Sequence, residues 1–184
     1  LPLQIAEFEK SGVTNPIFFI GVTDESRYMF WEQKRNDWYE LTGVPELSKE
    51  PELSNFLKEF SVVADTAQYR EYYLGVILTW LQNYCKSNGY QYVIFKQFTN
   101  ISTRWFKDLL DLQYVYNGGT TIMADLTDLE PEEFDTDVEP YDFELAVNNN
   151  PYFTDKIAHP CNRGHQRMAE LLCDFYQQAY KWNE

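Results

Sequence analysis

The chain has very little histidine: among its 184 residues, only His159 and His165 are of this type. Imidazole is the one side chain whose ordinary pKa lies near neutrality, so acid–base chemistry at neutral pH has few places to occur. Both histidines fall within residues 155–169, a stretch that begins with Asp155 and leads into an amphipathic pattern. The sequence therefore predicts that any acid–base site lies in this stretch.

Cysteine is also scarce, with three residues in the chain and no Cys-x-x-Cys pair. An odd number without paired spacing argues against a disulfide framework and favours a reducing compartment. His159, Cys161 and His165 are spaced compactly enough for zinc to be an alternative interpretation, but the sequence offers no evident fourth ligand. We therefore expect no metal site.

Long apolar runs are missing as well. No stretch of about 18 apolar residues occurs, which argues against a membrane-spanning helix and against a membrane partner. Residues 1–10 are mixed and acidic, without the basic start and apolar block of a secretory signal. Together these features predict a cytoplasmic protein.

Positive charge is in short supply, since 15 lysines and arginines face 29 acids and give a net charge of −14. Such a surface repels phosphate backbones, so we do not expect a nucleic acid as partner. No lysine or arginine lies between Asp108 and Asp155. The acidic region at about residues 125–150 lacks the Asp-x-Asp-x-Asp-Gly order of a calcium loop. It predicts a solvated loop, with a lid or a surface for a protein partner as alternatives.

The residues that are plentiful are those of a packed core. A content of 44% hydrophobic and 17% aromatic residues excludes general disorder, and the length suits one domain over residues 1–184. Four short apolar segments predict strands. They are residues 16–20, 60–64, 90–95 and 120–124.

Helical patterns lie between these strands. Apolar residues recur at three- and four-residue steps over residues 67–87, and Asn88-Gly89 predicts a left-handed cap at the end of that helix. Another predicted helix carries residues 105–110, and the last begins near Asn162 and ends at about Trp182.

The alternation of strands and helices predicts an α/β protein, with a mostly parallel sheet in a three-layer α/β/α arrangement. Residues 25–41 are expected to be helical in part, and residues 42–54 to form a loop. Ligands of such sheets bind outside the carboxyl ends of the strands. Residues 21–26, residues 97–102 and the loop that carries His159 are therefore the predicted surroundings of a site.

At this point the sequence resembles a known family. Asp155, His159-Pro160, Gly164-His165 and Met168-Ala169 together resemble the C-terminal block of the SGNH hydrolases, the GDSL-type esterases. In that family an Asp and a His shortly before the final helix complete a Ser-His-Asp triad. The resemblance covers about fifteen residues, 155–169, and implies a flavodoxin-like or SGNH-like fold.

The other blocks of the family match in part. The family's first strand ends in Gly-Asp-Ser, whereas here it ends in Gly21-Val22-Thr23, and a small insertion would bring Ser26 to the position of the serine. The family's Gly-x-Asn block corresponds to Phe98-Thr99-Asn100, with Phe98 in place of the glycine. The glycine of the second block has no clear counterpart, and the acid lies four rather than three residues before His159.

The resemblance implies a role for each matched residue. His159 is the expected base, Asp155 the acid that orients it, and Asn100 a donor to the oxyanion. Ser26 or Thr23 is the expected nucleophile. A hydroxyl is a poor nucleophile near neutral pH unless a base within about 2.6–3.2 Å accepts its proton, and an acid behind the imidazole fixes its tautomer. The implied activity is hydrolysis of a small ester, such as a carbohydrate O-acetyl group, through an acyl-enzyme.

The sequence leaves open whether the protein is catalytic, what its source and location are, and whether the matched residues have structural roles. The altered blocks are compatible with a catalytically degenerate protein of the same fold, with a structural or glycan-binding role. The resemblance also implies a phage or its bacterial host as the source, with a virion-associated location as the alternative to the cytoplasm. Asp155, His159 and the loop hydroxyls also have plain structural roles available, as helix caps and turn residues.

Overall fold

The computed structural model describes residues 2–22, 28–32, 37–41, 55, 59, 67–97, 109–119, 121–127, 150–154 and 160–181. Four helices and four strands have bounds in these residues. The helices are α1 (Pro2–Ser11), α2 (Ala67–Asn88), α3 (Ile122–Thr127) and α4 (Asn162–Lys181). The strands are β1 (Ile17–Val22), β2 (Tyr28–Glu32), β3 (Asp37–Leu41) and β4 (Gln91–Lys96). Short 3-10 turns at Leu112–Tyr114 and Tyr116–Gly119 follow β4.

The centre of the described fold is a parallel pair of strands. β1 and β4 run side by side from the pair Ile17 and Gln91 to the pair Val22 and Lys96. Single parallel bridges, between Ile94 and Val115 and between Lys96 and Thr121, continue the pairing next to β4. The strands predicted at residues 16–20 and 90–95 are thus confirmed, and so is a mixed helix and strand fold with parallel pairing. The full three-layer arrangement stays a prediction.

Alternate residues of β4 enter two different apolar clusters. Tyr92 and Ile94 pack with Leu78, Leu81 and Cys85 of α2 and with Ile5 of α1. Val93 packs instead with Ile122 and Met123 of α3 and with Met168 and Leu172 of α4. Each fully buried side chain of this size contributes about 1.5–3 kcal/mol, so β4 is secured on both faces by hydrophobic burial.

Helix α2 ends as its sequence predicts. Gly89 has φ +68°, the left-handed conformation that glycine adopts without steric cost. The amide of Gly89 donates to the Lys86 carbonyl at 3.2 Å, and the amide of Tyr90 donates to the Cys85 carbonyl at 2.8 Å. These two bonds form a Schellman motif, which stops the helix and turns the chain directly into β4.

The helical expectation for residues 25–41 was wrong where the structure describes them. β2 and β3 form an antiparallel pair, whose register sets Phe30 opposite Tyr39 and Trp31 opposite Trp38. Aromatic residues favour strands because large flat side chains suit a pleated surface and pair across it. The aromatic content of this segment therefore outweighed the charged residues that had suggested a helix.

The fourth predicted strand was also wrong where the structure describes it, since among residues 121–124 only Thr121 makes a strand-like bridge. The chain then enters α3 at Ile122. The Thr121 hydroxyl accepts a bond from the Met123 amide at 3.3 Å, and the Thr121 carbonyl accepts one from the Ala124 amide at 3.1 Å. Threonine thus caps a helix whose Met, Ala and Leu residues have high helix propensity.

The remaining predictions divide between described and undescribed residues. α4 confirms the last predicted helix almost to its limits. The predictions for residues 42–54 and 60–64 fall outside the described residues. So does most of the helix at 105–110, of which Leu109 lies in a turn and Leu110 in a bend. The acidic region begins inside α3, at Asp125, and its residues 128–149 also lie outside the described part.

Helix α1 was not predicted from the sequence. Pro2 occupies its first position, where the missing N–H of proline costs nothing. The Phe8 ring contacts the rings of Phe18 and Tyr90 edge-on, with centroids 5.0 and 5.8 Å away. These contacts fix α1 against the parallel pair.

Two further properties concern the described residues. Within them no helix has the length and apolar character needed to cross a bilayer.

Cys85, Cys161 and Cys173 are all free thiols. Burial raises the pKa of the Cys85 thiol to about 11, so this thiol stays protonated and behaves as part of the apolar core.

Candidate active site

The five residues implied by the family resemblance lie outside the described residues. They are Thr23, Ser26, Asn100, Asp155 and His159. The structure does describe the chain on one or both sides of each, because Val22, Gln97, Thr154 and Pro160 are all defined. The geometry of these flanking residues determines where the three segments enter and leave the fold.

The first two segments leave the fold together, at the end of the parallel pair. Val22 and Lys96 are register partners, and the Gln97 amide donates to the Val22 carbonyl at 2.9 Å. Thr121 lies on the other side of Lys96 and donates its hydroxyl proton to the Gln97 carbonyl. We call Val22, Lys96, Gln97 and Thr121 the carboxyl edge. Thr23 is bonded to one member of this edge, and Asn100 lies three residues beyond another.

The last helix runs antiparallel to these strands. Near its end, the Tyr176 hydroxyl donates to the Gln91 side-chain oxygen at 2.5 Å. The Tyr180 hydroxyl accepts from the Tyr92 amide at 2.8 Å and bonds the Tyr92 carbonyl at 3.1 Å. The second half of α4 therefore packs where β4 begins.

The first half of α4 lies near the opposite end of β4. Met168 packs in one cluster with Ile122 and Met123, which follow Thr121 of the carboxyl edge. Asn162 to Tyr176 spans about 21 Å of helix, comparable with the ~17 Å rise of a six-residue strand. The beginning of α4, and the chain that enters it, therefore lie toward the carboxyl edge.

The chain closes a short loop just before α4. Phe153 and Pro160 form an antiparallel bridge, and the Cys161 amide donates to the Tyr152 carbonyl at 2.8 Å. The six residues between the bridged pair include Asp155 and His159. The acid and the imidazole thus belong to one loop whose two ends are held together by backbone contacts.

Residues 150–154, which we call the crossing segment, pack closely against the first turn of α4. A Cβ atom on Gly164 would lie 2.2 Å from the Tyr152 carbonyl oxygen, so only glycine permits this approach. The Arg163 guanidinium lies over the Tyr152 ring, 5.5 Å from its centroid. The Cys161 thiol donates to the Pro151 carbonyl at 3.3 Å.

The crossing segment is also joined to α3. The Asn150 side-chain amide donates to the Leu126 carbonyl at 2.5 Å, and its oxygen accepts from the Tyr152 amide at 2.9 Å. Asn150 therefore connects the end of α3 to the loop that carries Asp155 and His159. Its neighbour Phe153 packs in the same apolar cluster as α3 and α4.

His165, the second histidine, has a structural place. Its backbone amide donates to the Cys161 carbonyl at 2.9 Å in the first turn of α4, and its side chain is exposed. Among the described residues no group of three or more His, Cys, Asp or Glu side chains has the geometry of a metal site.

Sequence reasoning missed two buried polar residues of the carboxyl edge. Lys96 is only 1% exposed and Thr121 is fully buried. Lys96 lies just beyond the strand predicted at residues 90–95, and Thr121 lies within the strand predicted at residues 120–124. The available signal was a lysine directly after the apolar run Tyr92 to Phe95, since the core could extend to this position. Charged side chains are rarely buried without a partner, so its burial was not the expected outcome.

A tyrosine and an acid extend this polar region along α3. The Tyr116 hydroxyl donates to the Asp125 carboxylate at 2.7 Å, and the Asn117 amide donates to the same oxygen at 3.2 Å. Burial, followed by the bond to Asp125, raises the pKa of Tyr116, while the charge of Arg167 opposes the shift. Tyr116 therefore stays a hydrogen-bond donor throughout the ordinary pH range.

One described concavity lies elsewhere, toward the start of β4. It has a volume of about 390 Å³ and is lined by Gln113, Phe175, Gln178 and Ala179. The Gln113 side-chain amide donates to the Ala179 carbonyl at 2.8 Å within this wall. It is open and shallow, so it does not compete with the carboxyl edge as a site for chemistry.

Comparisons of the chain with models of protein families, with curated proteins and with solved structures found no match. The likeness to the SGNH hydrolases therefore stays a prediction that depends on the residues quoted above.

Proposed function

We propose that the protein is an SGNH-like ester hydrolase of three-layer α/β/α architecture, acting on a small ester such as a carbohydrate O-acetyl group. One observation carries the proposal. The parallel register of Val22 with Lys96, and the antiparallel run of α4, bring the described ends of three chain segments toward one edge. These are the segments that hold the implied nucleophile, the implied oxyanion donor and the implied base with its acid.

Chain connectivity supports this grouping. Each residue extends the chain by at most about 3.6 Å, so Thr23 and Ser26 stay within ~4 and ~14 Å of Val22. Asn100 stays within ~11 Å of Gln97 by the same limit. Asp155 and His159 each directly adjoin a described residue, Thr154 and Pro160. The loop they share is closed by the bridge from Phe153 to Pro160.

The proposed reaction follows the chemistry of these groups. The hydroxyl of Ser26 or Thr23 attacks the ester carbonyl while His159 accepts its proton, and Asp155 steadies the resulting imidazolium. Asn100 donates to the oxyanion, an effect worth about 3 kcal/mol for a single donor. His159 then protonates the leaving alcohol. In the second half of the reaction His159 accepts a proton from the water that attacks the acyl-enzyme, and returns it to the Ser26 or Thr23 oxygen as the bond to the acyl group breaks and the acid is released. No metal or organic cofactor takes part.

A non-catalytic binding protein on the same architecture is the second candidate. The observation that favours it is Val22, which stands where the family has the acid of Gly-Asp-Ser and is buried in the apolar cluster with Ile5 and Ile94. A strand end whose residue packs in the apolar core, and carries no acid, is compatible with a structural or glycan-binding role, including a virion-associated one. The acidic region would then serve as the surface for a protein partner.

Covalent labelling tests the proposed nucleophile. We expect a fluorophosphonate probe to modify one residue, Ser26 or Thr23, because only an activated hydroxyl reacts readily. Trypsin yields one peptide, residues 11–27, which contains both candidate residues together with Ser11 and Thr14. Fragment-ion mass spectrometry then identifies which of these residues carries the adduct. Ser11 is an internal control, since its hydroxyl donates to the Phe8 carbonyl at 2.6 Å. An adduct confined to residues other than Ser26 and Thr23 would contradict the proposal.

A further inference from the structure

Helix α2 has a second apolar face, on the side opposite the one that packs on the sheet. Leu78, Leu81 and Cys85 are buried in the apolar cluster shared with β4 and α1. Five other apolar or aromatic side chains of the helix are 41–61% exposed, and we call them the outer face of α2. They are Tyr69, Tyr72, Tyr73, Val76 and Trp80. A helix that is apolar on more than one side is usually covered on each, and a contiguous exposed apolar patch commonly marks an interaction site.

The rings of the outer face are held in place by their neighbours. Tyr69 and Tyr73 stack with their planes 13° apart and their centroids separated by 6.2 Å. Trp80 stacks on Tyr84 in the same way, at 23° and 5.9 Å. Tyr69, Tyr72 and Tyr73 have further interactions in their own chain, so the outer face consists of what these interactions leave exposed. Rings that are already fixed lose little side-chain entropy when a partner covers them.

The outer face lies largely in the longest acid-free part of the chain. Residues 72–107 contain no Asp or Glu, although the whole chain has 29. Their basic residues are Lys86, Lys96, Arg104 and Lys107. Two copies of net charge −14 repel each other, and this repulsion is weakest where the acids are missing. The distribution of charge therefore makes the outer face the place where two copies approach at the lowest electrostatic cost.

The spacing of the outer face is self-complementary. Tyr69, Tyr73, Val76 and Trp80 follow one another at steps of four, three and four residues, the steps that form a seam between paired helices. The order of these steps is the same in both directions along the helix. In an antiparallel pair of α2 helices, Trp80 therefore meets Tyr69 of the second copy, and Val76 meets Tyr73 of the second copy. Such a contact is isologous and closes as a two-fold dimer.

The exposed area corresponds to a weak interface. An aromatic side chain presents about 150–250 Å², so the exposed parts of the four rings, together with Val76, amount to about 450 Å² per copy. A pair of copies buries roughly 900 Å² through these side chains, close to the ~1,000 Å² expected of a biological interface. Exposed polar neighbours such as Asn83 add area at the rim. The area therefore fits a dimer that dissociates on dilution.

We propose that the outer face of α2 docks a second copy of the chain, in an antiparallel and two-fold symmetric pair of α2 helices. The pair forms independently of ester hydrolysis. Added salt strengthens it, because ions screen the repulsion between two chains of net charge −14 while the contact itself is apolar.

Sedimentation velocity over about a hundredfold range of protein concentration tests the pair. We expect the parent to pass from monomer to dimer as the concentration rises, with a Kd that falls between about 0.05 and 0.5 M salt. Val76→Glu introduces two carboxylates beside the two-fold axis and should raise Kd at least about tenfold. Val13→Glu is the matched control, because it makes the same change at a 55% exposed valine in the loop between α1 and β1. Its Kd should stay within about twofold of the parent value.

A pair of opposite charges tests the antiparallel register. Tyr69→Lys and Trp80→Glu should each raise Kd, whereas the double variant should bind at least about fivefold more tightly than either, because each lysine then faces a glutamate of the second copy. The two positions are eleven residues apart in one helix, so they do not pair within a chain. Circular dichroism establishes that each variant is folded. Trp80→Gln, which removes the ring without adding charge, replaces Val76→Glu if that variant does not fold.

Three results would overturn the proposal. The first is a parent that sediments as a monomer at every concentration, in which case a loss of thermal stability in Val76→Glu would assign the covering of the outer face to other residues of the same chain. The second is a dimer that Val76→Glu leaves unchanged or that Val13→Glu weakens equally. The third is a dimer that salt weakens, since its contacts are then ionic.

Discussion

Replacing His159 with alanine is expected to lower kcat/KM for acetyl esters at least about 10³-fold while the protein stays folded. The reason is that the hydroxyl nucleophile then has no base to accept its proton, and triads lose most of their rate when any member is removed. The measurement is the initial rate of 4-nitrophenyl acetate hydrolysis by parent and variant at matched concentration. Circular dichroism establishes that the variant retains its structure.

His165→Ala is the matched control, because it removes the other imidazole six residues away. His165 has an exposed side chain in the first turn of α4, and its backbone amide donates to the Cys161 carbonyl. We expect its rate to stay within about twofold of the parent. Equal measurable rates for the parent and His159→Ala would remove His159 from any esterase mechanism. Absence of turnover by the parent on acetyl esters would favour the binding protein.

Replacing Gly164 with alanine is expected to lower the free energy of unfolding by about 2–3 kcal/mol. Two effects oppose each other at this position. Alanine in a helix interior gains about 1 kcal/mol over glycine in intrinsic propensity. However, its Cβ would lie 2.2 Å from the Tyr152 carbonyl oxygen and 3.0 Å from the Pro160 Cβ. Overpacking costs typically about 1–3 kcal/mol and occasionally more, and an overlap this close with backbone belongs at the upper end of that range, so the steric term prevails.

Thermal or urea unfolding measures the effect of Gly164→Ala, and a loss of this size lowers Tm by about 8 °C for a chain of this length. Gly12→Ala is the control, since its added Cβ meets nothing within 4 Å and its φ of +69° makes strain the only cost. That strain is about 1 kcal/mol. A loss for Gly164→Ala no larger than for Gly12→Ala would show that the crossing segment moves away without cost.

The elements that were predictable from the sequence are those in which local pattern and tertiary burial agree. The apolar run that forms β1 has no competing helical periodicity. In α2, apolar residues recur at three- and four-residue steps, and the helix stops before Gly89. The Asn-Gly pair predicted the left-handed conformation of that glycine. For α4, Met168 and Leu172 recur at a four-residue step in the sequence, and both are buried.

The elements that were not predictable depend on pairing or on local capping. The residues of β2 and β3 mix aromatic and charged side chains, and only the register across the hairpin reveals them as strands. Thr121 has strand propensity by itself, yet its hydroxyl caps α3 and its backbone bridges β4 for a single residue. Short-range propensity does not contain this information, because the outcome is decided by partners distant in the chain.

The residues of the candidate site lie outside the described part of the chain, so the site stays a prediction, and the sequence did not predict the buried Lys96 beside it. Loops after parallel strands and before the last helix were expected to converge, and the described ends of those segments support this. Lys96 directly follows the predicted strand at residues 90–95, and nothing in the local pattern distinguishes a buried lysine there from a solvated one. Its burial follows from the bridge to Thr121 and from the packing of α1 and α2, which the sequence does not show.

The most direct test of the account is the distance between His159 and the candidate hydroxyls in an experimental structure. The account predicts that one imidazole nitrogen of His159 lies about 2.6–3.2 Å from the hydroxyl oxygen of Ser26 or Thr23, or reaches it through one water molecule. Both hydroxyls lying farther from the imidazole than one bridging water can span would contradict the triad.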